Sequence, residues 1–464
     1  MEPESARPSP APGSSDHRDP PPAGHPGGRD HPAADHSGGT RLDPWFGSYA
    51  GRTHGLRVSE TRALFAVANR PEVVSLAGGM PFLDALPMDL IAKVTSDLIA
   101  AEGAVALQYG NGQGHPALRG HITEVMAAEQ IQAHPDDVVV TTGSQQALDL
   151  VTRIFVDPGD VVLAEAPSYV GALSVFKSYQ AWVEHVPMDG QGLVPAALEE
   201  TITRLRREGR RIKFLYTCPT YHNPAGVTLP LERRAEVLDI CQRAGVLLVE
   251  DNPYGMLGFS GQITPAIRSL DQDGVIYLGS FSKTLAPGYR TGWATAPHAV
   301  REKLVLASEA SILCPSHASQ LSIAAYLESC DWRAQIDAYR GVYRERCEAM
   351  LASLAEFMPE CSWTVPEGGF YTWVTVPDGI NTKAMLPRAT TALVAYVSGT
   401  AFYADGQGSR QMRLSFCYPT PERIREGVRR LSGVLTKELE LISLFGPHGP
   451  GPAADVTSPA PDVA

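Results

Sequence analysis

The chain of 464 residues has no apolar run of the about eighteen residues needed to cross a bilayer as a helix. Its first residues, MEPESARPSPAPGSSDHRDP, lack the apolar core of a secretory signal, so no export by that route is expected. Cysteine is sparse. The seven, at positions 218, 241, 314, 330, 347, 361 and 417, are odd in number and form no CxxC, which argues against a disulfide framework and any metal site and fits reduced thiols in a cytoplasm. Positive charge is also short: 39 Lys and Arg against 51 Asp and Glu leave a formal charge of −12, so the surface as a whole does not suit nucleic acid. No internal repeat is present.

What is there is ordinary globular composition, 44% hydrophobic and 19% charged, between two low-complexity ends. Residues 1–40 and 447–464 are rich in Pro, Gly, Ala and Asp and bury too little to fold alone, so both read as disordered tails. His17, His25, His31 and His36 fall in the first tail, where solvated histidines are the simpler reading than a metal site. Between the tails, short β-branched runs such as DVVVTTG, DVVLAEA, IKFLYT, VLLVEDNPY and GVIYLGS alternate with helical patterns such as SQQALDLVTRIF and LERRAEVLDICQRA. Apolar strands with intervening helices predict an α/β fold, a mostly parallel sheet covered by helices on both faces. After about residue 330 the texture changes to a long helix and separated strands, which predicts a smaller α+β domain. The expected layout is an N-terminal arm over 41–90 joining the small domain, a large domain over 91–330 and a small one over 331–446.

The polar motifs TGSQQ, EAPSY, HNPAG, EDNPY and SFSK all end strands, where open parallel sheets bind ligands. In YLGSFSKTLAPGYRTGW a lone lysine, Lys283, sits among hydroxyls with Arg290 seven positions on, a setting for a reactive amine beside a bound phosphate. TTGSQQALDL offers the N–H groups of a helix start to a phosphate, or simply an N-cap by Ser144. Asp251 ends a very apolar strand and needs a partner, a protonated ring nitrogen or a local turn. Asn223 before Pro224, and Tyr169 in APSY, read either as ligand contacts or as loop and packing residues. YGNGQGH has the wrong spacing for a dinucleotide fingerprint and reads as a loop.

Taken in order, LAGGMP, LQYGNGQGHPALR, TGSQQAL, APSY, HNPAG, EDNPYG, SFSKTLAPGYRTGW and MRLSF resemble the fold-type I, pyridoxal-phosphate-dependent aminotransferases, over roughly residues 55 to 440. The likeness is greatest to the branch containing α-aminoadipate and kynurenine aminotransferases. The resemblance implies an aspartate aminotransferase-like fold with a seven-stranded-type sheet, and transfer of an amino group from an L-amino acid to a 2-oxo acid such as 2-oxoglutarate. It implies that Lys283 is the Schiff-base lysine and that Ser144, Gln145, Ser280, Ser282 and Arg290 hold the phosphate. It further assigns Asp251 to the pyridine nitrogen, Asn223 and Tyr254 to the ring hydroxyl, and Tyr169 to stacking on the ring. Arg413 would bind the substrate α-carboxylate, with Gly79 lining the pocket, and Tyr109 would reach the phosphate of a neighbouring subunit, making a homodimer with shared sites. Arg62 in TRALFAV would accept a side-chain carboxylate, with Arg57 as a rival and a surface arginine as the plain alternative. Related folds also serve as lyases, oxidases and cyclases, which the lysine loop does not distinguish. Others carry a DNA-binding winged helix, for which the Pro/Gly-rich leader is too short.

Overall fold

The computed structural model describes residues 43–55 and 70–446. The chain divides into two units, Met1–Ala50 and Gly51–Ala464. Of the first, the described part is one turn, Phe46–Ser48, beside Asp43, whose carboxylate accepts from Trp45 N at 3.1 Å and Tyr49 Oη at 3.2 Å. The second carries every element below.

In chain order its strands are β1 (Val74–Ser75), β2 (Val138–Thr141), β3 (Val161–Ala166), β4 (Trp182–Asp189), β5 (Gly192–Leu193), β6 (Ile212–Thr217), β7 (Leu247–Asp251), β8 (Val275–Ser280), β9 (Gly292–Thr295), β10 (Ser362–Trp363), β11 (Tyr371–Thr375), β12 (Val394–Ala395), β13 (Val397–Ser398) and β14 (Gln411–Ser415). Eight of them form one sheet in the order β2-β9-β8-β7-β6-β3-β4-β5. From β8 to β4 all neighbours are parallel. β9 runs antiparallel to both β8 and β2, because residues 281–291 joining β8 to β9 contain no crossover helix to reverse the chain twice. The expected mostly parallel seven-stranded sheet is therefore present, extended by the two-residue hairpin partner β5. β4 is illegible as a strand in sequence: Glu184, His185 and Pro187 interrupt its apolar residues, as suits a half-exposed strand near the sheet edge.

The pleat divides the core. Val162 and Ala164 of β3 face the helix Ser144–Phe155, packing with Leu148, Val151 and Ile276. Val161 and Leu163 face the helices Pro195–Arg207 and Leu231–Arg243, with Leu198, Leu215 and Val237. Each fully buried Val, Leu or Ile side chain here contributes about 1.5–3 kcal/mol of burial. A second sheet, β10-β11-β14-β13, is antiparallel, and β1 pairs in parallel with β12, so the segment near residue 75 joins strands more than three hundred residues later. Helices Trp332–Phe357 and Pro421–Phe445 pack beside these strands through Tyr343, Met350, Val428 and Leu431.

One buried cation ties together the loops around the ends of β6 and β7. Arg234 is fully buried and donates to Leu229 O (2.8 Å), Pro265 O (2.7 Å), Pro219 O (3.2 Å) and Thr220 Oγ1 (2.7 Å). Arg234→Met fills much of the volume but strands these acceptors, so it is expected to destabilise by about 3 kcal/mol. The check is the urea unfolding midpoint against Arg243→Met, an exposed arginine on the same helix. Equal midpoints would refute the role.

Candidate active site

Beyond the carboxyl ends of the parallel strands lies a cavity of about 430 Å³. Lys283 enters it from the loop after β8, its Nζ donating to Gly79 O at 2.8 Å. Burial pulls the Lys283 amine down to about 8, helped by the charges of Arg413 and Arg290 and opposed by Cys417 and Asp251. A neutral, nucleophilic amine is therefore accessible near neutral pH.

One end of the cavity gathers donors. Ser144 opens the helix Ser144–Phe155, whose first-turn N–H groups have no partners within the helix, and Gln145 follows it. Ser280 ends β8 and accepts from Ser282 N at 3.0 Å. Arg290 crosses over from the turn before β9 and donates to Ser282 Oγ and Thr142 O, each at 3.4 Å, and to Pro287 O at 3.3 Å. The N-cap position requires glycine: Gly143 has φ +79°, and a Cβ there would come 2.6 Å from Arg290 Nη2. Helix dipole, hydroxyls and an exposed guanidinium converge as an anion cradle.

The other end is buried. Asp251, last residue of β7, accepts from Tyr216 Oη at 2.8 Å through Oδ2, while Oδ1 has no partner. Burial raises its carboxyl to about 6 against the opposing pulls of Tyr216 and Lys283. Asn223 accepts from Arg413 Nη1 at 2.9 Å and donates to Tyr254 Oη at 3.4 Å. Arg413, in β14, also donates to Ala77 O at 2.7 Å, and its Nε is an unpartnered buried donor. Its guanidinium stacks over Tyr371 at 4.2 Å and Phe402 at 5.1 Å. Tyr169 lines the cavity and donates to Gln145 Oε1 at 3.2 Å.

These groups fit a phosphorylated pyridine. The anion cradle sits at one end, a carboxylate oxygen without a partner can meet a protonated ring nitrogen, and a stacked guanidinium with a free donor can meet a carboxylate. Twelve sequence-predicted residues thus share one cavity wall: Gly79, Ser144, Gln145, Tyr169, Asn223, Asp251, Tyr254, Ser280, Ser282, Lys283, Arg290 and Arg413. Tyr109 does not line it and stands 75% exposed. Arg62 and Arg57 lie outside the described residues. Sequence reasoning misses Tyr216 and Tyr371. Tyr216 carries a signal, since it stands on β6, the strand beside β7, near the carboxyl end where Asp251 stands. Tyr371 carries none: its hydroxyl meets Gly79 only through packing, where a Cβ on residue 79 would lie 2.1 Å away.

A depressed lysine pKa has a sign. Between about 8 and 10.5 the unfolded lysine holds a proton that the folded one has released, so the cofactor-free protein gains stability as pH rises through this window and loses it as pH falls towards 8. Cofactor-free Lys283→Met should therefore melt above the wild type below pH 8, with the gap closing by about pH 10. A gap independent of pH, followed by scanning calorimetry, would remove the buried-amine account.

The family model for aminotransferase class I and II matches residues 71–431. Aromatic-amino-acid aminotransferase 1 of Thermococcus litoralis is 41% identical over 84% of this chain and 95% of its own. The kynurenine aminotransferase of Pyrococcus horikoshii, solved with pyridoxamine phosphate, superposes with a TM-score of 0.81 at 38% identity, covering 84% of this chain and 97% of that one. The α-aminoadipate aminotransferase of Thermus thermophilus, solved with N-(5'-phosphopyridoxyl)-L-leucine, superposes at 0.80 with 35% identity, covering 86% and 99%. With the lysine, the anion cradle and the two unpartnered buried atoms in one cavity, the chain belongs to the class I and II aminotransferases and is a pyridoxal-phosphate-dependent transaminase.

Proposed function

We propose that this transaminase takes the amino group of an L-amino acid and passes it to a 2-oxo acid, 2-oxoglutarate first among them, in two alternating half-reactions. The observation that carries the reading is that Asp251 and Arg413, each with a buried polar atom lacking a partner (Oδ1 and Nε), line the same cavity as the desolvated Lys283 amine. Bound pyridoxal phosphate supplies the electron sink for the charge left when the substrate Cα loses its proton. Ser144, Gln145, Ser280, Ser282 and Arg290 would hold its phosphate, Asp251 its ring nitrogen, Asn223 and Tyr254 its ring hydroxyl, and Tyr169 its face. Arg413 presents a planar fork to the substrate carboxylate, oriented by Asn223 and Ala77 O, with Gly79 keeping the facing wall low. Lys283 Nζ takes the proton from the substrate Cα, for which a pKa near the working pH is suited.

Aromatic amino acids, kynurenine and α-aminoadipate, named for the relatives above, are the donors to test first. A dicarboxylic donor would use Arg62 for its second carboxylate, a reading that rests on the sequence alone. A homodimer belongs to the same proposal, with Tyr109 of each copy serving the other's phosphate. Its support is the exposure of large apolar side chains, Leu107, Tyr109, Leu306 and Leu313, and the bond between His317 Nδ1 and Gln108 O at 3.3 Å, which holds the loop of Tyr109 in place. A cytoplasmic location fits the seven unpaired cysteines. No described helix is long and apolar enough to cross a membrane.

The test is a half-reaction. Each candidate amino acid, added under nitrogen to the yellow holoenzyme, should convert the cofactor stoichiometrically to its aminated form, and a 2-oxo acid should restore it. Turnover that requires oxygen, or that releases ammonia, would replace transfer with oxidation or elimination. For the shared site, Lys283→Ala and Tyr109→Ala refolded together should regain activity approaching one working site per heterodimer. Tagged, purified heterodimers as inactive as both parents would end the shared-site reading.

A further inference from the structure

A fully buried carboxylate and a fully buried histidine behind the cavity wall have no part in the chemistry above. Glu165 stands near the carboxyl end of β3 and His222 immediately precedes Asn223. Glu165 Oε1 accepts from Thr217 Oγ1 and Oε2 from Cys218 N, both at 2.8 Å, which fastens the loop leaving β6 to β3. His222 Nδ1 accepts from Ala225 N at 3.2 Å, so the ring proton of the neutral imidazole lies on Nε2. That atom stands 3.1 Å from Glu165 Oε2 but out of line for a hydrogen bond, so the contact is held chiefly by charge and dipole. The loop is closed across the same residue, with His222 N donating to Val227 O at 2.8 Å and Gly226 N to His222 O at 2.6 Å.

We infer that Glu165 and His222 are a positioning pair for the substrate carboxylate site, acting through Asn223. The route is short. His222 anchors the loop 222–227 to β3, Asn223 is the next residue, and its Oδ1 is the acceptor that orients Arg413 Nη1. Arg413 belongs to the other sheet and its remaining fixed hydrogen bond is to Ala77 O, so a displaced Asn223 leaves the guanidinium with one fixed partner and two aromatic faces on which it can slide. Tyr254 draws on the same amide only at 3.4 Å, so it holds the asparagine loosely. A charged residue buried at the end of a central strand is justified by what it orients.

The inference rests on Arg413 as the carboxylate partner, and its test separates the two. Holoenzymes carrying Glu165→Gln, His222→Leu and both together are compared with wild type and Arg413→Ala in steady-state transfer from the best donor of the screen to a saturating 2-oxo acid. Glu165→Gln keeps the shape of the acceptor and is the variant expected to fold whatever His222→Leu does. Each single change should raise KM about tenfold while kcat falls less than threefold. The double variant should be no worse than the singles, because both act on one loop. Hydrogen exchange of a peptide spanning 218–228 should quicken in each variant, with the cofactor's absorbance and saturation unchanged. A lowered melting temperature with KM and exchange at wild-type values would make the pair structural only and overturn the inference. An unaltered KM in Arg413→Ala would instead overturn the carboxylate assignment on which it rests.

Discussion

A lysine amine buried in a cavity beside two arginines cannot keep its ordinary pKa, and it needs a counterweight to be held there at all. The site is organised around that constraint. Burial lowers the Lys283 amine, Arg290 and Arg413 press it further, and Asp251 restrains the shift. Asp251 is itself raised by burial and steadied by the Tyr216 hydroxyl. The amine and the carboxylate are therefore a matched pair, each placed where desolvation has moved its titration towards neutrality.

The parallel sheet makes that pairing possible. β7 and β8 are neighbours, so Asp251 at the end of one and the Ser280–Lys283 loop at the end of the other emerge side by side, and the helix beginning at Ser144 brings unpaired N–H groups to the same edge. β9 doubles back beside β8 and delivers Arg290 from its leading turn. The antiparallel sheet supplies what the parallel one does not, since Arg413 and Tyr371 stand on adjacent strands β14 and β11. The bond from Arg413 Nη1 to Asn223 Oδ1 joins a strand of the antiparallel sheet to the loop that leaves β6. The small residues in the wall follow from closeness: Gly143 yields to Arg290 and Gly79 to the Tyr371 hydroxyl.

The buried polar groups behind the wall follow the same logic one layer further out. Arg234 collects the carbonyls that the 219–229 and 265 segments turn inward, and Glu165 collects the donors at the end of β6. Loops that leave parallel strands and turn across the sheet end cannot satisfy their own backbone, and a long fork or a carboxylate meets several such groups at once.

By itself the sequence determines the alternation of apolar strands and helices, and with it the open sheet and the edge where the ligand binds. It also makes Lys283 and the hydroxyl-rich loop around it legible, because these features are local: residues adjacent in the chain become adjacent at a strand end. Asp251, Asn223 and Ser144 are legible for the same reason. The direction of β9, the half-exposed strand β4 and the parallel pairing of β1 with β12 are not legible, because they depend on loop reach and on partners far along the chain. Tyr371 over Gly79, the aromatic faces on Arg413 and the Glu165–His222 contact belong to tertiary structure alone. None has a period or spacing that marks it. Each arises where two surfaces, folded from distant segments, are pressed to contact distance, and close packing then decides which atoms meet.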